Sequence, residues 1–534
     1  MNARPAAILV ATGIASIAVT ADGIEHRPGL VPAAFLAFVA LTVAASVGRE
    51  PRPWILAGLV LAAALWSDPS PRGLAVVAVV AVLLARFRPV DLPIAAAAAA
   101  LSLPAAAALF QSGAPAAAAA SLALAAFLLS RRVSGAAVVL LATATLVAWR
   151  HVVVGSHGIA PDDIVGIAAS AAVPLALWRP ARTDRPAIAL ALAGFALASL
   201  SLIAGKPYHV DAVAIVHRAA ELAASGVDPY RAIDAQEALA RFGLGRELLT
   251  DLEDGRPLRS LNYPALSFLV PAPLVANGLD DLRPLYALEV GLLALLVVRR
   301  TGARWRAHAL AAVVGSAVIV RQYVLAGVDP LWALLCAVAY ATFTRPAISA
   351  VALGLACATR QPAWFVVPFY LALVWRREGA RGAARRAATV GVVFILPHLP
   401  FIASDPAALA SGILAPLLEP LEAHGAGLVG FALDGIGPLL PRAVYNGLAV
   451  AALVVGVLVV WRGAERLAAV GWCVPLALAW RSLMNYLAFA PVMLLAFEPD
   501  RVRSAAVSDA EDANARRQGT ARDPRVPGGQ EAGP

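Results

Sequence analysis

The residues of this chain best suited to chemistry are an aspartate, three arginines and a few tyrosines and other polar groups, all set at the borders of long apolar runs. Asp211 ends the stretch Lys206-Pro207-Tyr208-His209-Val210-Asp211 and precedes an apolar-periodic segment, 215–224, that stops before Gly226. A carboxylate so placed caps a helix or sits in its first turn. Held beside cations at a membrane surface, the same group accepts the proton of a hydroxyl as a general base. Spacing alone leaves both roles open. Arg321, Arg360 and Arg481 stand near the ends of apolar runs, and polar neighbours follow in Arg321-Gln322-Tyr323 and Arg360-Gln361. One arginine in that position ordinarily snorkels to the interface. Several together offer planar forks that match phosphate oxygens two at a time, which suits a lipid phosphate. His209, Asp228, Tyr230, Tyr263 and Asp329 occupy similar borders, and ionisable or polar groups in such places are functional candidates by default.

The elements that must position them are membrane helices. Hydrophobic residues make up 60% of the chain and charged ones 14%, and the mean hydropathy is +0.76. Soluble domains do not have that profile. Apolar runs of about 14 to 20 residues recur from 6 to 497, against the roughly 20 residues that a helix needs to cross a ~30 Å hydrocarbon core. The first run, 6–20, leads into no small-residue cleavage site and is read as a spanning helix. Cys336, Cys357 and Cys473 lie inside apolar runs without CxxC spacing, so they are packing residues that imply neither disulfides nor zinc. A formal charge of +9 fits arginine-rich cytoplasmic loops and excludes no fold, and it gives no reason to invoke nucleic acid.

Arginine clusters at 49–52, 86–88, 131–132 and 179–185 are each separated by two apolar runs, which places them in the cytoplasm after about eight spans. The next helix, near 187–204, then exits to the outer face, where 205–262 forms one long loop. Later clusters at 299–306, 376–386 and 462–466 return to the inside only if 263–278 fails to cross. That segment carries Pro264, Pro271 and Pro273, which remove backbone donors, and it is expected to be re-entrant or interfacial. Further helices are expected to begin near Leu285, Arg306, Pro330, Pro346, Pro362, Ala387, Ala443, Leu467 and Leu483, for about eighteen in all. Residues 499–534 are charged and rich in Gly, Pro and Ala, and read as a disordered cytoplasmic tail. The expected fold is thus an all-α, polytopic transmembrane bundle, with the candidate residues gathered on the outer face.

The stretches KPYHVDAVAIVHRAAELAASGVDPY (206–230), NYPALSFLVPAPL (262–274), GVDPLWALL (327–335) and TRQPAWFVVPFYLALVWRR (359–377) resemble the GT-C superfamily of membrane glycosyltransferases. The nearest likeness is to its polyprenyl-phosphate-mannose-dependent members, over 186–498. The resemblance implies a GT-C-like core preceded by added N-terminal helices (1–185). It makes Asp211 the catalytic base. It matches Asp228-Pro229-Tyr230 to an Asp-Pro-Tyr element and Tyr263-Pro264-Ala265 to a Tyr-Pro-Pro element lacking one proline. Arg360-Gln361-Pro362 corresponds to the family's basic residue near a proline that holds the donor phosphate, with Arg321 and Arg481 as further phosphate ligands. His209, Asp228, Tyr230, Tyr263, Asp329 and Gln361 would contact substrate, although Gly327-Val328-Asp329 stands where the family has a Gly-Gln-x-Asn element. The implied activity is inverting transfer of a hexose or pentose from a polyprenyl phosphate to a lipid or glycan acceptor, outside the plasma membrane.

Other readings of the same residues are a transporter or lipid flippase, which also uses proline-broken helices, and an inactive scaffold that binds lipid. Internal repeats of the transporter kind are not evident. Haem, flavin, P-loop and zinc signatures are absent, so no cofactor is expected. A metal stays admissible, since some relatives use one, but no Asp-x-Asp element supports it.

Overall fold

A computed structural model describes residues 207–301, 319–325 and 327–497, with isolated helical positions within 32–43, 189–203 and 310–314. The expected N-terminal helices, apart from Pro32, Leu36, Val39 and Val43, and the expected tail lie outside the described residues. What is described is all-α. Two parallel two-residue strands, β1 (His424–Gly425) and β2 (Arg481–Ser482), are the exception among the described residues.

Helix α1 (Asp211–Ala224) buries a continuous alanine and valine face. After it come α2 (Pro229–Ala232) and α3 (Ala235–Arg241), each capped by an aspartate: Asp228 accepts the Tyr230 amide at 2.9 Å and Asp234 accepts the Gln236 amide at 2.9 Å. The proline-rich run then folds as two short helices, α4 (Leu266–Leu269) and α5 (Ala272–Ala276), interrupted at Pro271. Even if continuous, 266–276 would be about 16 Å long, half a hydrocarbon core.

Helix α6 (Arg283–Arg300) follows, then a π-turn at Val320–Leu325, α7 (Leu331–Ala341) and α8 (Pro346–Thr359). The element α9 (Pro362–Ile395) is two antiparallel limbs rather than one rod. Trp364 and Phe394 have ring centroids 6.1 Å apart, whereas an unbroken helix would separate them by about 45 Å. The reversal occurs at Gly379, where φ is 75° and ψ 180°, a conformation open to glycine. Short helices α10 (Leu399–Ser404), α11 (Pro406–Leu418) and α12 (Leu428–Leu433) precede the long α13 (Arg442–Trp461). Among the described residues, two helical stretches are long and apolar enough to cross a membrane, one within 362–404 and the other α13.

The helices expected from Leu467 and Leu483 are instead broken into α14 (Cys473–Leu478), α15 (Met484–Leu487) and α16 (Ala490–Ala496). Pro475 and Pro491 sit at the starts of these pieces, where a missing amide does no harm, and Ala479 turns extended. Hydropathy alone does not distinguish such pieces from a continuous span.

The arginine clusters at 376–386 and 462–466 meet in space. Arg377 pairs with Glu465 at 2.5 Å, and Arg376 donates to the Trp461 carbonyl at 3.2 Å. Arg386, only 1% exposed, is held by Glu378, by the Tyr370 hydroxyl at 2.8 Å and by the Phe343 carbonyl at 3.1 Å. A buried cation so fully partnered is a staple for the hairpin turn. Seventeen residues of helix separate that turn from Arg360, about 25 Å. The remaining candidates gather at the Arg360 end.

Candidate functional site

Asp211 is the first residue of α1, and Val210 before it is extended and gives no side-chain cap. The carboxylate therefore meets the free amides of the first turn, where the helix dipole favours a negative charge. It lies deep among protein atoms yet keeps part of its surface accessible. Burial raises its pKa above the ordinary carboxylate value, against the pull of the Ala212 amide and of Arg360 and Arg481, both within electrostatic reach. A half-buried carboxylate with two guanidinium groups in electrostatic reach is able to accept a proton.

Arg360 occupies the bend between α8 and α9, where its backbone is extended (φ −151°, ψ 143°) and its amide bonds the Ala356 carbonyl at 3.2 Å. Its guanidinium is 2% exposed and lies over the Tyr263 ring, 4.2 Å from the centroid. Asp329 approaches Nε with Oδ2 at 4.0 Å, too far for a hydrogen bond. Nε and Nη2, the two donors on one edge of the fork, have no hydrogen-bond partner among the described residues. The same edge in Arg283 chelates Asp281, at 3.0 Å from Nε and 2.7 Å from Nη2. In Arg360 that edge is buried and makes no hydrogen bond among the described residues.

The loop 327–330 brings Asp329 to this place. Gly327 has φ of 80°, and a Cβ there would lie 3.0 Å from the Val213 side chain on α1 and 3.2 Å from Arg283 Cγ. The chain is thus pressed against α1 two residues from Asp211. Asp329 Oδ1 accepts the Leu331 amide at 2.8 Å and starts α7, while Oδ2 is buried without a hydrogen-bond partner.

Arg481, on β2, reaches from the other side. It donates to the Glu422 carbonyl at 3.0 Å and to Thr250 Oγ1 at 3.4 Å, and Asp211, Tyr263 and Tyr486 lie within its electrostatic reach. Asp211, Tyr263, Asp329, Arg360 and Arg481 are therefore one neighbourhood built from five separate stretches of sequence.

Other candidates have work inside the fold. Asp228 caps α2, and the Tyr230 hydroxyl donates to the Tyr263 carbonyl at 2.8 Å, so Asp-Pro-Tyr positions Tyr263 from behind. Gln361 spends its amide nitrogen on the Asn262 carbonyl at 2.5 Å and the Ile413 carbonyl at 3.2 Å. His398 receives the Ala265 amide at Nε2, 3.1 Å, and must donate from Nδ1 to the Phe394 carbonyl, 2.7 Å, which fixes a neutral tautomer. His217 is bonded to the Tyr208 hydroxyl at 2.9 Å and stacks on Phe242, and its burial lowers its pKa. His209 is exposed and has no hydrogen bond among the described residues. Arg321 lies in the π-turn, but its side chain, like Lys206, is outside the described residues.

Three residues that the sequence reading passed over belong to this neighbourhood. Tyr486 lies within electrostatic reach of Arg360, Arg481 and Asp211. Tyr286 and Glu289 on α6 are 2% and 5% exposed, and the Tyr286 hydroxyl and Glu289 Oε2 lack hydrogen-bond partners. An acid inside an apolar run is itself a signal, and Glu289 carried it. No protein-family model, curated protein or solved structure matches the chain. Geometry alone therefore bears on function.

Proposed function

We propose that this chain is a multi-pass plasma-membrane glycosyltransferase of GT-C type, with about eighteen spans and its site on the extracytoplasmic face. It takes a sugar from a polyprenyl-phosphate donor and gives it to a hydroxyl of a lipid or glycan acceptor. The observation that carries the reading is the unpaired bidentate edge of Arg360, a buried guanidinium, within electrostatic reach of the half-buried carboxylate of Asp211.

Each group has a matching task. Asp211 removes the proton from the acceptor hydroxyl as its oxygen attacks the anomeric carbon. The bond from that carbon to the donor's phosphate oxygen breaks, and its electron pair stays on the lipid phosphate. Attack from the face opposite the leaving group inverts the anomeric centre. Arg360 meets the charge that develops on the phosphate, and Arg481 adds to the field. Preorganised charge in a partly dry site is a large contributor to such a step. Tyr263 holds the guanidinium flat, so the fork presents its edge.

The test is transfer from a radiolabelled polyprenyl-phosphate sugar in membranes, comparing the native chain with Asp211→Asn. Loss of transfer by the variant is expected. Undiminished transfer would remove Asp211 as base, and lipid uptake or translocation without a glycosylated product would place the chain with transporters and flippases.

A further inference from the structure

Behind Arg360 lies a second set of polar atoms that the proposed transfer does not use. Tyr286 and Glu289 are three residues apart on α6 and so share one helix face. Asp329, Arg360, Glu289 and Tyr208 lie within electrostatic reach of Tyr286, and Asp329 within reach of Glu289. Each of these side chains is at most 5% exposed, and each has an atom without a hydrogen-bond partner: the Tyr286 hydroxyl, Glu289 Oε2, Asp329 Oδ2, and Nε and Nη2 of Arg360. One such atom is tolerable in a fold. A set of them in one place is costly unless a polar guest completes it.

The chemistry of the set selects the guest. A metal ion is a poor match, because the described residues hold no group of three or more ligating side chains and a guanidinium stands within the set. An anion belongs on the Arg360 edge and not on the two carboxyl groups. A neutral group rich in hydroxyls fits, since carboxyl groups and a phenol all accept hydrogen bonds from hydroxyls. We infer that Glu289, Asp329 and Tyr286 form the pocket for the hydroxyls of the donor's sugar ring, next to the Arg360 edge that takes its phosphate. This rests on the donor reading above and deepens it: the sugar is joined directly to the phosphate, so a ring whose phosphate sits on Arg360 reaches Asp329 first and Glu289 behind it. Glu289 is then a specificity-determining residue.

The experiment measures binding of polyprenyl phosphate, bare and mannosylated, to the purified full chain in nanodiscs. Variants are Glu289→Gln, Tyr286→Phe and Arg360→Met, each checked for an unchanged elution profile. Glu289→Gln is expected to weaken binding of the mannosylated lipid by about 10- to 100-fold and leave the bare lipid unchanged. Tyr286→Phe has the same pattern and a smaller effect, while Arg360→Met weakens both lipids. Equal effects of Glu289→Gln on the two lipids, or none on either, overturn the sugar pocket while leaving the phosphate site standing. Failure of the native chain to bind the bare lipid overturns the donor reading and this inference with it.

Discussion

Arg360 has two candidate jobs, and a double-variant cycle separates them. As a structural residue it neutralises Asp329 and stacks on Tyr263; as a functional one it holds a phosphate. The Nε to Oδ2 distance of 4.0 Å gives an attraction of about 4 kcal/mol at an effective dielectric constant near 20. Both side chains are 3% exposed, so solvent screens little of it. Stacking on the Tyr263 ring adds up to about 2 kcal/mol in a desolvated site. Arg360→Met leaves the Asp329 charge buried without a counter-ion, a loss of about 3 to 5 kcal/mol, and lowers Tm by on the order of 5 °C. Adding Asp329→Asn removes the stranded charge and restores most of that stability. The phosphate contact behaves differently. Two charge-assisted hydrogen bonds from the unpaired edge contribute roughly 1.5 to 3 kcal/mol each, so their loss lowers kcat/KM by about 10²- to 10⁴-fold. The double variant is therefore expected to regain Tm, followed by intrinsic tryptophan fluorescence in detergent, and to remain far below Asp329→Asn alone in transfer. If its kcat/KM equals that of Asp329→Asn, Arg360 acts only through Asp329 and is no phosphate ligand.

Further expectations concern charge, backbone and topology. Because burial raises the Asp211 pKa, the folded state holds this proton more tightly than the unfolded chain does. Stability from protonated Asp211 is present at low pH and lost as pH rises through the raised value, so at neutral pH the ionised form opposes folding. Asp211→Asn should thus raise Tm at pH 7 while abolishing transfer; a lowered Tm refutes the electrostatic assignment. For the same reason kcat/KM for the proposed transfer by the native chain should fall on acidification at a pH above about 3.9, the ordinary aspartate value, and an acid limb at or below it refutes the raised pKa. Gly327→Ala forces a side chain into φ of 80° against Val213, costing about 1 to 2 kcal/mol and moving Asp329; unchanged Tm and donor affinity would show that the loop yields freely. Single cysteines at Asp254 and Arg381, both exposed, should react with an impermeant maleimide in intact cells and only after the cells are permeabilised, respectively. The native cysteines described are all buried and give a low background, and the reverse labelling would overturn the assigned faces.

Residue types and their spacing decided a good deal by themselves. A chain so apolar has to satisfy its backbone within helices, so the all-α architecture followed from composition and run length. Starts near Pro330, Pro346, Pro362 and Ala443 were legible because proline or an arginine border marks a first turn. Tertiary structure alone decided which polar residues face one another. Gln361, Asp228 and His398 resemble substrate contacts when seen as isolated polar residues, yet each satisfies a backbone group that helix breaks had left without a partner. Arg360 looks like Arg386 in sequence. Long-range packing leaves the fork of Arg360 unpaired on one edge and closes that of Arg386 on Glu378 and Tyr370. Glu289 was hidden for the opposite reason, being one acid in an apolar helix until Asp329, forty residues on, is folded against it. Pairings between charges distant in sequence are set by how helices pack, and local pattern does not encode that packing.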